Sequence, residues 1–513
     1  MITRRDALAT SAALVGVAAA PARAAGGGGT ARLRVESDIR TLDPAFQIGG
    51  VEEMIKNATL VTLTRFKEGP QVAWEAYAAQ TIEGVDERTI RFTLRPGLVW
   101  SDGFGPVTAD DVKFSFERIA DAANESPWGY VWEFLEGVEV VNERTGVIHL
   151  TQAFAPIWYT ALPWYGGHIV CRRAVEAAGG RFETSFPAQC GPYRMTGWDP
   201  TVSITLTRNP DWPGEPAPFD RLELVIVQDD KAGELAFEAG EVDYARVAVD
   251  SIPRYRASPP AGSTLMEWPS TSYRWIGMNV EHPHLADVRV RKAIQWALDV
   301  DAILLAAFGG VAARSAGIVP PGVVGERSRN AVDHRDLDKA RALLAEAGVG
   351  EGFATTVTCL DDVISVTIAQ AVQAQLAEVG IAVEVKGYEA GVYWGLGLEE
   401  EGEAWKELEL TLMGYAGGTD PSESTVWFTP DQVGVWNWER WNSPEFGELH
   451  ARGLVETDPA ARAAIYVRMQ DLMEDSGAYV FLTFGLNAAL IKAAHRAMPL
   501  VDGFLSLPRY RPA

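Results

Sequence analysis

Between residues 354 and 385 the hydrophobic period of the chain changes twice, and this switch constrains the fold more than any other feature. Ala354 to Thr358 reads as a strand, and Ile364 to Val379 carries helical spacing. Gly380 stops the helix, and Ile381 to Val385 forms the next strand. A strand, a covering helix and a second strand of this length imply parallel pairing through a right-handed crossover. The same grammar runs along the rest of the chain. Thr89 to Leu94 alternates, with Ile90, Phe92 and Leu94 on one face, before Arg95-Pro96-Gly97 breaks it. Asp110 to Ile119 and Lys231 to Ala239 read as helices, the second closed by Gly240. Val202 to Leu206 and Leu222 to Val227 read as strands. Val288 to Phe308 is helical in spacing, and Asp336 caps a helix running to Gly348. Ile465 to Met473 forms a further helix and Tyr479 to Phe484 an apolar strand. The class expected is α/β.

A length of 513 residues, 47% of them hydrophobic, supports two to four domains with a large core. The 45 Lys and Arg stand against 69 Asp and Glu, for a net charge of -24, which excludes a nucleic-acid binder needing a basic stripe. Seventeen Trp are many, and some are expected in a binding cleft while most pack the core. At the N-terminus Arg4-Arg5 precede an apolar run from Ala7 to Ala20, followed by Ala22-Arg23-Ala24. That is the pattern of a secretory signal, of twin-arginine type, cleaved near Ala24. The run is too short to span a bilayer. Residues 1–24 are therefore expected to direct export, and the mature chain to be soluble in the periplasm. Cys171 and Cys190 are spaced to permit a disulfide in that compartment, with buried free thiols as the alternative.

Short catalytic and metal motifs are absent from the sequence. There is no Gly-x-Ser-x-Gly elbow, no His-Glu-x-x-His helix and no phosphate loop. His282 and His284 flank Pro283 without a third ligand nearby, so they read as a loop. Asp229-Asp230, Asp361-Asp362 and Glu399 to Glu403 read as solvated turns or helix starts. No catalytic residue, metal or cofactor is expected.

Nine motifs occur in order over about residues 33–510. They include Thr41-Leu42-Asp43-Pro44, Leu94-Arg95-Pro96-Gly97 running to Asp102-Gly103, and Thr108-Ala109-Asp110-Asp111-Val112. Gly191-Pro192-Tyr193, Arg208-Asn209-Pro210-Asp211-Trp212 and Ala239-Gly240-Glu241-Val242-Asp243 follow. Tyr273 to Asn279, Asp287 to Ala293 and Leu343 to Gly348 complete the order. Together they resemble the dipeptide-, oligopeptide- and nickel-binding receptors of ABC importers, solute-binding family 5.

The resemblance implies a two-lobed periplasmic-binding fold of class II, in its enlarged peptide-binder form. The first lobe would comprise residues 31–270 plus 485–513, with an extra subdomain at about 60–185, and the second lobe 271–484. Ligand would be enclosed as the lobes close, because only the closed state offers contacts from both. The expected partners are a small-molecule or short-peptide ligand and the permease subunits of an importer, with no nucleic acid and no second copy of the chain. In the first lobe the resemblance implies ligand contacts from Phe46, Gly49 and Gly50. In the second it implies Tyr388 and the loop Met413 to Pro421, with Tyr415, Gly417, Gly418 and Asp420. Peptide-binding relatives carry an acid early in that loop, where this chain has Gly417 and Gly418. Their carboxylate-binding Arg has no counterpart at Leu360-Asp361-Asp362. A buried ligand charge without a partner costs several kcal/mol. Asp361, Asp362, Asp420 and Glu423 suit a cationic group, and Trp275, Trp394, Trp427, Trp436 and Trp438 offer cation–π or sugar-stacking faces. A peptide or amino-acid-derived solute is the first expectation, a sugar or polyamine- or opine-like cation the alternative, and an exported enzyme a remote third.

Overall fold

A computed structural model describes residues 28–69, 71–499 and 503–513. The export segment at 1–24 lies outside the described residues. Ten strands form the central sheet: β1 Thr30–Val35, β2 Tyr193–Asp199, β3 Ser203–Arg208, β4 Arg221–Ile226 and β5 Tyr244–Arg246 come first in the chain. They are followed by β6 Ser263–Met278, β7 Phe353–Leu360, β8 Ile381–Tyr388, β9 Leu410–Tyr415 and β10 Tyr479–Lys492. Their spatial order is β2-β3-β4-β1-β5-β10-β6-β9-β7-β8.

The first five strands lie at one end and β7, β8 and β9 at the other. β1 pairs parallel with both β4 and β5, and β7 with both β8 and β9, while β3 meets β4 and β6 meets β9 antiparallel. β7 and β8 are the parallel pair that the switch of period implies, joined by helix Val363–Ala377. Asp362 accepts from the Ser365 N–H at its start, and Ile368, Ala369, Val372 and Leu376 bury against the sheet.

Only β6 and β10 belong to both halves. They pair antiparallel from Ser263↔Lys492 to Gly277↔Tyr479, and the register shifts between Pro269 and Tyr273. One side of this break packs beside β5, the other beside β9. Residues 270–272 and 485 lie in the break, and Phe484 pairs with Tyr273 at its edge. Two continuous strands thus make the two crossings of a two-lobed fold.

A separate four-stranded sheet, in the order Ala79–Asp86, Thr89–Leu94, Thr145–Leu150, Leu135–Val140, is carried by the first lobe. Helix Ala109–Ala120 packs on it through Val112, Phe116 and Ile119. Its start is a reciprocal cap: Thr108 Oγ1 accepts from the Asp111 N–H and Asp111 Oδ2 accepts from the Thr108 N–H. Such a cap is worth about 1 kcal/mol.

The continuous helical spacing from Val288 to Phe308 is broken in the structure. Helices Val288–Ala297 and Val300–Phe308 are separated at Leu298, whose backbone is extended. Asp299 takes the Ala302 N–H on its carboxylate and starts a second helix. Both pieces still bury apolar faces in one core, so their periodicities concatenate. Cys171 and Cys190 are buried free thiols, not the disulfide that their spacing permits. Among the described residues no helix is long and apolar enough to cross a membrane.

Candidate functional site

The second lobe's wall begins where β9 ends at Gly414-Tyr415. The chain then turns tightly against the crossing strand. Gly417 donates its N–H to Thr271 O at 3.1 Å, and a Cβ there would stand 2.6 Å from that same oxygen. At Gly418 a Cβ would overlap Glu423 Oε2. The Glu423 carboxylate therefore fills the space that a side chain at Gly418 would occupy. Oε2 accepts the N–H groups of Thr419 at 2.9 Å and Asp420 at 3.1 Å. Burial raises Glu423 to about 7 against the lowering effect of the Asp420 and Thr419 N–H groups, and the Asp420 charge adds to the rise. Across the cleft, Glu423 comes close enough to Tyr130 of the first lobe to raise its phenol, in addition to burial.

Asp420 faces the other way. It is wholly buried and holds Arg462 by two bonds of 2.7 and 2.8 Å. Its Oδ1 also accepts from the Ser422 N–H and hydroxyl. Both oxygens bond within the protein and none of the side chain is exposed, so Asp420 anchors the loop from inside. This corrects its expected place among the ligand contacts. The backbone that Asp420 and Arg462 hold is the one that presents Glu423.

An aromatic wall stands behind the loop. Tyr415 lies edge-on to Trp275 at 5.0 Å and to Trp436 at 6.2 Å, and tilts against Trp427 at 5.8 Å. Its hydroxyl donates to Trp436 O at 2.8 Å. Tyr415, Trp427 and Trp436 are partly exposed. Trp275 and Trp438, also expected at the ligand, are core residues at 0% and 3% exposure. Trp275 Nε1 donates to Glu439 Oε1 at 2.7 Å and Trp438 Nε1 to Val435 O. Burial raises Glu439 to about 7. A Cβ at Gly277 would overlap its carboxylate, so that glycine makes the room for it. Tyr388 is half-buried against this aromatic core, and its carbonyl accepts from the N–H of exposed Asp361.

On the first lobe, Phe46 lies under Arg181 at 3.9 Å and Arg118 at 5.3 Å. The position of Gly49 Cβ is filled by Glu52, and that of Gly50 by the Phe504 ring. Both glycines thus have packing reasons to be glycine, at the start of helix Gly50–Thr59. Next to them stands a feature that motif matching passed over. Trp164 stacks on Tyr165 at 3.9 Å, Tyr165 on Trp128 at 4.2 Å, and Trp128 leans on Tyr130 at 6.4 Å. Trp128 Nε1 donates to Gln47 O at 2.6 Å and so ties this ladder to the 46–51 loop. The signal in the sequence was two aromatic pairs, Trp128-Gly129-Tyr130 and Trp164-Tyr165, in short irregular segments.

The two faces meet. Thr419 Oγ1 donates to Tyr159 O at 2.6 Å, and the Val72 N–H to Gly322 O at 2.9 Å. Beside the second contact lies a cavity of about 370 Å³, between Val72-Ala73, the crossing at Trp268 to Thr271 and Pro320 to Gly322. Among the described residues no group of three or more His, Cys, Asp or Glu stands together to hold a metal. The site offers the Glu423 carboxylate, aromatic faces and loops in contact across the cleft, which suits recognition of a solute.

Comparison with known proteins agrees with the fold. The model of the bacterial extracellular solute-binding proteins, family 5 (middle region), matches residues 76–434. The oligopeptide-binding protein OppA of Bacillus subtilis (strain 168) is 24% identical over 480 residues, 87% of this chain and 86% of that protein. The glutathione-binding protein GsiB of Escherichia coli (strain K12) is 27% identical over 401 residues, 76% of each. HbpA2 from Haemophilus parasuis superposes with a TM-score of 0.85 at 22% identity, covering 94% of this chain and 100% of that one.

Proposed function

The chain belongs to the bacterial extracellular solute-binding proteins of family 5, and from that membership we propose that it is the periplasmic receptor of an ABC importer for a small peptide or amino-acid-derived solute. Residues 1–24 export it, the lobes 31–270 plus 485–513 and 271–484 close about the strand break near 270 and 485, and a monomer presents the closed form to the permease. It binds its solute and does no chemistry on it. Two relatives named for oligopeptide and glutathione binding support a peptidic solute.

One observation carries the reading: the enclosed Glu423 carboxylate, seated in the vacant side-chain position of Gly418 and facing Tyr130. An ammonium group placed there meets a carboxylate in a dry cleft, where a charge-assisted hydrogen bond is strong. The ammonium also favours the ionised carboxylate, so binding near neutral pH releases a proton from Glu423. The pair exists only when both lobes surround it, so solute stabilises closure. Tyr415, Trp427 and Trp436 then offer apolar faces to the remainder of the solute.

The test is calorimetric titration with di- and tripeptides and glutathione, each with a free or an acetylated amine. Glu423→Gln is expected to weaken binding of the free-amine form by about 10–100-fold and to leave the acetylated form little changed. Equal loss for both forms, or no loss, overturns the reading. The partly exposed rings of Trp427 and Trp436, edge-on to each other at 6.4 Å, favour the second reading, a sugar or polyamine-like solute, and tight binding of those with silence from every peptide would establish it.

A further inference from the structure

Away from the cleft, the first lobe has a second cavity of about 460 Å³. Its walls are the hairpin Thr64–Phe66 with Trp74–Ala76, the loop 212–218 and the C-terminal residues 508–511. Five cations line it: Arg65, Lys67, Arg95, Arg509 and Arg511. Only three acids accompany them, Glu68, Glu75 and Glu215. In a chain where acids outnumber bases 69 to 45, such a local excess is against the average field.

The internal pairing does not absorb the excess. Glu75 Oε1 is shared by Arg65 at 2.8 Å and Arg509 at 3.0 Å. Glu68 meets Arg511 at 3.4 Å, and exposed Glu215 makes no ion pair among the described residues. Arg95 is the group left over. Among the described residues its guanidinium has no hydrogen bond or ion pair, and its Nε is sealed from solvent without an acceptor. It stands 6.0 Å from the Tyr77 ring centre, with Arg65 at 4.7 Å from the same ring. Trp212 tilts against Tyr77 at 5.8 Å and completes an aromatic floor. Burial and the neighbouring Arg65 cation both hold Arg95 below its ordinary value. Buried donors in native proteins have acceptors, and a guanidinium with free N–H groups matches a planar or tetrahedral oxyanion.

We propose that this cavity binds the oxyanion of a small free solute, a carboxylate or a phosphate, with Arg95 as its central donor and Lys67 and Arg511 at its rim. The site shares no residue with the 414–423 loop, so it stands or falls apart from the function of the cleft.

The experiment is calorimetric titration of the mature protein at low salt with citrate and, separately, inorganic pyrophosphate. One saturable site is expected for at least one of them, and which anion binds identifies the class. Arg95→Gln should weaken it about tenfold or more, with unchanged thermal unfolding, while Glu423→Gln leaves it intact. If Arg95→Gln does not fold, the double variant Lys67→Gln/Arg511→Gln, at rim positions, should weaken binding several-fold and flatten its salt dependence. No heat from either anion at millimolar concentration overturns the proposal, as does equal affinity in the variants. Capture only by phosphatidylglycerol vesicles, with no binding of free anion, overturns it too.

Discussion

Replacing Asp420 by Asn tests whether the loop acid serves the solute or the fold. In the structure Asp420 is wholly enclosed and Arg462 has a side-chain exposure of 4%. Two short bonds join them, Arg462 Nε donates to Gly453 O, and Ser422 donates twice to Asp420. The Asp420 carboxylate raises Arg462 above its ordinary value against the opposing effect of burial. Asn keeps the shape and one acceptor but leaves the guanidinium enclosed without a counter-charge. Breaking a buried pair on one side costs about 3–5 kcal/mol. For a lobe of this size that lowers the unfolding temperature by about 6–20 °C. The assay is thermal unfolding of the mature protein, with peptide affinity measured well below the transition. A strong loss of stability is expected, with affinity changed only about threefold or less where the protein stays folded. Restoring neutrality with Asp420→Leu/Arg462→Met should recover much of the stability, because apolar pairs of similar volume replace buried ion pairs at little cost. An unchanged unfolding temperature with collapsed affinity would refute the reasoning and make Asp420 a solute ligand.

Glu439 is 1% exposed and raised by burial to about 7, against an ordinary value near 4.5. Its favourable contribution is complete below about pH 4.5 and is lost as pH rises through 7, a swing of about 3 kcal/mol. Melts of the parent and Glu439→Gln between pH 4.5 and 7.5 should differ in slope by that amount, and parallel curves would contradict it. Gly418→Ala puts a methyl group onto Glu423 Oε2 and must displace that carboxylate. Peptide affinity should drop about tenfold or more while overpacking costs about 1–3 kcal/mol of stability, so calorimetry showing full affinity would separate Glu423 from the solute. Cys171, Cys190 and Cys359 are buried, and burial raises all three thiols. A thiol reagent should find almost none in the native protein and three after denaturation without reductant, whereas a single equivalent would reveal a Cys171–Cys190 bond.

Much of the local structure was legible because it rests on neighbours in sequence. The strand Thr89–Leu94, the caps at Asp336 and Asp362 and the β7–helix–β8 unit follow from period and capping chemistry. Where the reading failed, two local signals shared one face. Val288 to Phe308 keeps helical spacing across Leu298 because both helices bury their apolar sides in one core. The aromatic residues divided in the same way: Trp275, Trp436 and Trp438 look alike in sequence, yet only Trp436 is partly exposed.

By itself, the order of motifs and hydrophobic periods determined the α/β class and the family. These properties are carried by residues within a few positions of one another. Which acid of the loop is buried against Arg462, and which fills the space beside Gly418, was decided only by the tertiary structure. Arg462 stands 42 residues beyond Asp420, and once folding encloses both, a desolvated guanidinium must take the carboxylate beside it. Asp420 is thereby turned inward, and Glu423 is left to fill the space that Gly418 leaves open and to face the first lobe.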